Sequence, residues 1–159
     1  MERAQPFERS AGYFIRGGIA AGVIAGMVMA MFVMVVTVVS GHGLFAVPEM
    51  IGQTFLRDRQ GPVVVLLGIM GHMMNSAVFG LVWGLVWSKV AKTGVVAVLG
   101  GMVYGILIWL VMTYGVVRAL DSAVPGPISP VLWILAHVMF GLALGLWPIF
   151  ASQRFRAAE

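Results

Sequence analysis

Residues 17–48 read GGIAAGVIAGMVMAMFVMVVTVVSGHGLFAVP and contain no Asp, Glu, Lys or Arg. A stretch of about 20 apolar residues is enough for one α-helix to cross the hydrocarbon core of a bilayer. Three further charge-free stretches follow, at 61–88, 93–117 and 122–153. The sequence therefore predicts four transmembrane helices, over about residues 14–41, 63–88, 94–117 and 129–151.

The composition of the whole chain supports this interpretation. Of the 159 residues, 60% are hydrophobic and only 10% are charged, whereas soluble domains carry about 25% charged residues on average. So few charges cannot cover the surface of a water-soluble monomer, and so hydrophobic a chain is not intrinsically disordered. The chain has no cysteine, which excludes disulfides, thiolate metal sites, iron–sulfur clusters and covalently attached haem.

The loops between the predicted helices are short, so we expect a single all-α domain over residues 1–159. The expected fold is an integral membrane four-helix bundle. The first loop contains AVPEMIGQTFL at residues 46–56, with a proline near a helix start and apolar residues at Ile51 and Phe55. This pattern predicts a short amphipathic helix at the outer membrane interface.

The ten Lys and Arg residues are distributed unequally between the two sides of the predicted membrane. The first and third loops contain Arg57, Arg59 and Arg118. The other seven flank the opposite ends of the helices: Arg3, Arg9, Arg16, Lys89, Lys92, Arg154 and Arg156. Because cytoplasmic loops carry the excess of positive charge, both termini are predicted to lie in the cytoplasm. Basic residues placed in this way are topology signals, and we expect no nucleic-acid partner.

The second and fourth predicted helices resemble each other. When His72 is aligned with His137, Ser76 falls on Gly141 and Gly80 on Gly145. The first and third helices match more loosely, with Gly22 and Gly26 corresponding to Gly101 and Gly105. The sequence therefore predicts an internal repeat of two tandem helical hairpins that have the same orientation in the membrane.

Small residues recur at intervals of four along each predicted helix, and residues four apart share a helix face. In lipid, small residues let helix backbones approach closely enough to associate. We therefore predict that helix packing uses Gly18, Gly22, Gly26, Ser76, Gly80, Gly84, Gly101, Gly105, Gly141 and Gly145.

His72 and His137 lie on the same faces as these small residues, so both imidazoles should point into the protein at similar depths. An ionisable group inside a membrane is a functional candidate. One interpretation is structural: each neutral imidazole donates a hydrogen bond to a carbonyl or hydroxyl group and holds its helix in register.

Two further interpretations of the histidines stay open. In the first, His72 and His137 are the axial ligands of one b-type haem, and glycines of the first and third helices leave room for the macrocycle. In the second, a copper site is formed by His42, His72 and His137 with Met70, Met73 or Met139. Our leading expectation is that no cofactor is bound, with haem b as the alternative.

The predicted helices lack the residues that catalysis or ion coupling usually needs. No Asp or Glu lies inside any of them, and no phosphate loop, HExxH or GxSxG motif occurs in the chain. We therefore predict that the protein is not an enzyme. A small-solute pore is the least favoured function, because the sequence shows no ring of polar residues.

Several segments resemble uncharacterised four-span bacterial inner-membrane proteins. These are VPEMIGQTFL at 47–56, HMMNSAVFGLVWG at 72–84, GGMVYGILIWLVMTYG at 100–115 and HVMFGLALG at 137–145. The resemblance covers most of the chain and also includes the glycine-rich first helix. It implies the four-helix fold and a location in the bacterial inner (cytoplasmic) membrane, and it implies no activity.

Glycine-rich helices joined by short loops, with almost no domain outside the membrane, are typical of a subunit whose role is to pack against other membrane helices. We expect a non-catalytic accessory or structural subunit that contacts the lipid bilayer and a larger membrane complex, respiratory or photosynthetic, or further copies of itself. The alternative function is that of a b-type haem-binding membrane protein with His72 and His137 as ligands.

Overall fold

A computed structural model describes residues 11–90, 94–124, 126 and 128–156. Arg3, Arg9 and Lys92, which contribute to the predicted orientation, lie outside these residues. The elements are α1 (Ala11–Val39), α2 (Ala46–Gln53), α3 (Pro62–Val90), α4 (Val95–Leu110), a π-helical segment (Val111–Val116), α5 (Val117–Ala119) and α6 (Pro130–Arg156). No β-strand occurs in the described residues, so the predicted all-α fold is confirmed.

Four helical stretches are long and apolar enough to cross a membrane: Gly12–Val39, Pro62–Lys89, Val95–Ala119 and Pro130–Pro148. They agree with the four predicted spans to within a few residues. The third stretch is made of α4, the π-helical segment and α5 in succession. Many large apolar side chains on these stretches are exposed, as the lipid-facing surface of a multi-pass membrane protein requires.

The helices pack as two hairpins. The first hairpin consists of α1 and α3, the second of α4 and α6, and the two are joined through a contact between α1 and α6. Helices α3 and α6 therefore lie on a diagonal of the bundle, each beside α1 and α4. This arrangement places the two histidine-bearing helices across the bundle from each other, as the predicted topology requires.

The interface between α3 and α4 differs from the other interfaces because large aromatic side chains fill it. The rings of Trp83 and Trp87 stack with their centroids 4.9 Å apart. The ring centroid of Tyr104 lies 5.4 Å from that of Trp83, and the Tyr104 hydroxyl donates a hydrogen bond of 2.9 Å to the Phe79 carbonyl. These rings close the fourth side of the bundle by side-chain contact.

The short helix α2 confirms the helix predicted in the first loop, and it also docks on the membrane-spanning part of the protein. A Cβ added to Gly52 would collide with the Val64 carbonyl, and one added to Gly68 would collide with the Pro48 carbonyl. The backbones of α2 and α3 are thus in direct contact. The Gly61 amide N–H donates a 2.9 Å hydrogen bond to Glu49 Oε1, which ties the loop back to α2.

The first and third loops are joined by polar contacts. The Thr54 and Ser122 hydroxyls share a hydrogen bond of 2.8 Å, and Arg57 forms an exposed ion pair of 3.4 Å with Asp121. After this contact the chain turns inward, since Val124 and Ile128 are both buried. The ends of the two hairpins that carry the first and third loops are therefore held together outside the membrane-spanning region.

Candidate functional site

The first hairpin is held by contacts between backbones. Gly18, Gly22 and Gly26 of α1 lie against Gly84, Gly80 and Ser76 of α3. A Cβ added to Gly22 would collide with the Ser76 carbonyl and lie 2.7 Å from the Gly80 Cα. The predicted packing residues of the first two spans therefore all lie in this interface.

The second hairpin makes the same kind of contact. A Cβ added to Gly101 of α4 would collide with the Gly141 carbonyl of α6 and lie 2.9 Å from the Gly145 Cα. A Cβ added to Gly105 would collide with the His137 carbonyl. The predicted packing residues of the last two spans are thus also placed together, and His137 lies at the edge of their interface.

His72 connects the two helices of the first hairpin. Its Nε2 donates a hydrogen bond of 3.0 Å to the Gly26 carbonyl on α1. The Ser76 hydroxyl donates a hydrogen bond of 2.8 Å to the His72 carbonyl within α3. A hydrogen bond between membrane helices stabilises their association, so one ring nitrogen of His72 has the structural role that the sequence suggested.

His137 forms its hydrogen bond within its own helix. Its Nδ1 donates a hydrogen bond of 2.8 Å to the Trp133 carbonyl. The imidazole ring lies edge-on to the Trp133 ring, with a distance of 4.6 Å between the ring centroids. The side chain is only 3% exposed. The Trp133 indole Nε1 in turn donates a hydrogen bond of 3.1 Å to Thr113 Oγ1 in the π-helical segment. Contacts through Trp133 therefore connect His137 to the third membrane-spanning stretch.

Both imidazoles line one cavity of about 100 Å³, which we call the histidine cavity. The cavity is also lined by Asn75 and Ser76 of α3 and by two methionines, Met29 of α1 and Met112 of the π-helical segment. The structure thus brings His72 and His137 together inside the bundle.

His42 is not part of this cavity. It is exposed and lies in the turn that follows α1, where its amide N–H donates a hydrogen bond of 2.8 Å to the Thr37 carbonyl. Among the described residues, no three His, Asp or Glu side chains are grouped closely enough to hold a metal ion. The structure therefore separates His42 from the other two histidines of the suggested copper site.

The methionines suggested for that site also lie elsewhere. Met70 is largely exposed, and neither it nor Met73 nor Met139 lines the histidine cavity. The methionines that do line it, Met29 and Met112, were not singled out by the sequence. Twelve methionines are scattered through the chain, and only the three-dimensional packing distinguishes these two.

The histidine cavity is small for a haem. Pockets that take ligands of the size of drugs or cofactors have volumes of about 300–1,000 Å³, and this cavity has about 100 Å³. The glycines expected to leave room for the macrocycle are in contact with the backbone of the facing helix. A haem between His72 and His137 would therefore require both hairpins to open.

A polar vestibule of about 470 Å³ lies above the cavity, among the loops at the ends of α2 and α5. Its walls include Gln53, Arg57 and Asp121. Thr54 and Ser122 line both the vestibule and the histidine cavity. The pair of hydroxyls that joins the first and third loops therefore lies between the polar surface and the two histidines.

A second space opens on the side of the bundle. This methionine groove of about 410 Å³ lies between α1, α2 and α3, and its walls are almost entirely apolar. The groove shares His72 and Met29 with the histidine cavity. We define the methionine groove by Met27, Met31, Met34, Pro48, Ile69 and Met73, which line it.

Comparison with known proteins finds no matching family model, no matching curated protein and no matching solved structure. This result is consistent with the uncharacterised family that the sequence motifs resemble. No known activity is transferred to the chain, and its function is argued from its own residues.

Proposed function

We propose that the protein is a non-catalytic accessory subunit that binds an apolar helix of a partner membrane protein along the methionine groove. We place it in the bacterial inner membrane with both termini in the cytoplasm, because seven of its ten basic residues flank the predicted inner ends of the spans. The observation that carries the proposal is the groove itself.

The groove is suited to a partner side chain because of its size and its lining. Its volume of about 410 Å³ is within the range of about 300–1,000 Å³ found for ligand pockets. Methionine side chains are flexible and polarisable, so a surface lined by them adapts to the shape of an apolar partner. Met27 and Met31 are 47% and 59% exposed at the groove and are available for such contact.

The histidine at the floor of the groove favours a protein helix over a lipid tail. His72 lines the groove, and its one side-chain hydrogen bond to the described part of the chain uses Nε2. An acyl chain offers no hydrogen-bond donor to the remaining ring nitrogen, whereas polar side chains often join membrane helices. A partner helix with a Ser, Thr or Asn at this level would satisfy that nitrogen.

The rest of the bundle supports a scaffold role. Both hairpins are closed by glycine contacts, and the fourth side of the bundle, between α3 and α4, is filled by aromatic rings, so the helices have little room to move against each other. We propose that the hairpins are two copies of one ancestral unit, since Gly22 and Gly101 contact equivalent residues of the facing helix under the His72–His137 alignment. A rigid duplicated scaffold fits binding better than catalysis.

Cross-linking tests the proposed docking site. The chain contains no cysteine, so the single variants Met27→Cys and Met31→Cys each carry one thiol in the groove. Val103→Cys places a matched thiol on the exposed surface of α4. Each variant is labelled in native membranes with a maleimide–benzophenone reagent and illuminated, and the products are separated by mass.

The proposal predicts one discrete heavier product for both groove variants and none for Val103→Cys. A product between two differently tagged copies of the chain would mean that the groove binds a second copy. That outcome would overturn the accessory role, although the groove would still be a docking site. Equal labelling of all three positions, or adducts with lipid alone, would overturn the docking site.

A further inference from the structure

The histidine cavity contains two imidazole nitrogens with no hydrogen-bond partner in the described part of the chain. Nε2 of His72 and Nδ1 of His137 each donate to a backbone carbonyl. A neutral imidazole has one N–H and one lone pair. Nδ1 of His72 and Nε2 of His137 therefore keep free lone pairs, and both rings line the cavity.

This arrangement is the one expected of metal-binding histidines. A histidine ligand almost always donates its other ring N–H to a carbonyl, a carboxylate or water, which fixes the ring and selects the nitrogen that binds the metal. The Gly26 and Trp133 carbonyls have this role here. The hydrogen bond that orients each ring is thus already formed, and the other ring nitrogen is left to bind an ion.

Two thioethers complete a possible ligand set. Met29 lies on α1, His72 on α3, Met112 in the π-helical segment and His137 on α6, and all four line the cavity. Each membrane-spanning stretch therefore contributes one potential ligand. A π-helical turn shifts the residues after it to a different face, and such turns are frequent at functional sites.

The chemistry of these groups selects the kind of ion. Imidazole and thioether ligands favour soft cations such as copper(I), whereas calcium and magnesium need carboxylate or carbonyl oxygen. None of the residues that line the cavity is Asp or Glu. A divalent ion would therefore place two uncompensated charges in a buried apolar site, and a monovalent ion only one.

We infer that the histidine cavity binds one soft monovalent cation, copper(I), through His72, His137, Met29 and Met112. The volume of about 100 Å³ accommodates a single ion. The inference goes beyond the proposed docking function and is tested without the partner, since copper(I) and a polar side chain of the partner helix would compete for the same lone pair, that of His72 Nδ1. The vestibule offers the ion an entry route from the polar surface. The vestibule is lined by Asp58 and by the ion pair of Arg57 with Asp121, so its side chains carry one net negative charge, which attracts cations.

The test is a titration of the purified full-length protein in detergent with copper(I), under anaerobic conditions and in competition with a chromogenic chelator. Silver(I) serves as a probe without redox chemistry. We expect one equivalent of either ion per chain and no retention of zinc(II). The copper X-ray absorption spectrum should show both nitrogen and sulfur neighbours.

Matched variants separate this site from non-specific binding by methionine. Met29→Leu and Met112→Leu conserve volume and should leave the fold intact. Removal of groups that merely orient metal ligands costs about 10–100-fold in affinity, so loss of a ligand should weaken binding by about tenfold or more. Met27→Leu in the groove and His42→Ala in the outer turn should leave the affinity unchanged.

His137→Leu should abolish binding or, because His72 remains, reduce the nitrogen signal by about half. If the two cavity variants and Met27→Leu bind copper(I) with the same affinity, the inference is overturned. A spectrum with sulfur neighbours alone would overturn it as well, because it would assign the ion to exposed methionines. These readouts do not involve the partner helix, so failure of one proposal leaves the other intact.

Discussion

Gly22 of α1 and Gly80 of α3 face each other with no side chain between them, and a Cβ added to either would lie under 3.0 Å from the other's Cα. Gly101 of α4 faces Gly141 and Gly145 of α6 in the same way. Because the atoms in contact belong to the backbone, they cannot rotate aside as the end of a side chain can. An added methyl group must therefore push the two helices apart.

This geometry predicts that Gly22→Ala and Gly101→Ala each destabilise the protein by about 1–3 kcal/mol, the usual cost of overpacking a close contact. Gly43→Ala is the control, because nothing lies within 4 Å of the position of its added Cβ. Thermal unfolding in detergent, followed by circular dichroism, measures all three. If Gly22→Ala and Gly43→Ala had the same midpoint temperature of unfolding, α1 and α3 would have to be further apart than the structure places them.

The packing residues could be predicted from the sequence because a spacing of four directly reports a shared helix face. The inward direction of His72 and His137 followed from the same rule. Their hydrogen bonds did not, since Gly26 is far from His72 in the sequence and Trp133 offers a carbonyl within the same helix. Which acceptor each ring chooses depends on how closely the neighbouring helix approaches.

The cavity methionines could not be predicted for two physical reasons. Met29 is one of several methionines in a continuous apolar run, and methionine carries no directional signal there. Met112 lies in the π-helical segment, where the residue spacing departs from that of an α-helix. Its direction therefore cannot be inferred from helical periodicity. The docking of α2 on α3 is likewise a contact that local sequence does not encode.

The hydrogen bond from the Trp133 indole to Thr113 should stabilise the π-helical segment against α6. Its length is 3.1 Å. We expect a coupling energy of about 0.6 kcal/mol, the average for hydrogen bonds between membrane helices in double-mutant cycles, and at most about 1.7 kcal/mol. A double-mutant cycle with Thr113→Val, Trp133→Phe and the combined variant measures it. Thr113→Ser keeps the acceptor and should retain most of the stability, whereas additive single effects would mean that the bond contributes nothing.

The haem alternative makes a spectroscopic prediction. Because the space between His72 and His137 is about 100 Å³, we expect protein purified from a haem-supplemented culture to lack a Soret band. Metal analysis should find no stoichiometric iron. A Soret band that disappears in both His72→Ala and His137→Ala, and persists in His42→Ala, would show that the hairpins open to bind haem and would reverse this expectation.

The orientation of the chain rests on its basic residues, and single cysteines can test it because the unmodified chain has none. Gln60→Cys lies in the first loop, which contains Arg57 and Arg59, and Thr93→Cys lies beside Lys92. The excess of positive charge on the Lys92 side predicts that this side is cytoplasmic. In intact spheroplasts, a membrane-impermeant maleimide should therefore label Gln60→Cys, while Thr93→Cys should react only after the membrane is permeabilised. The cysteine-free chain controls for background labelling. The reverse pattern would place the vestibule and its two aspartates on the cytoplasmic side, and copper(I) would then have to enter the histidine cavity from the cytoplasm.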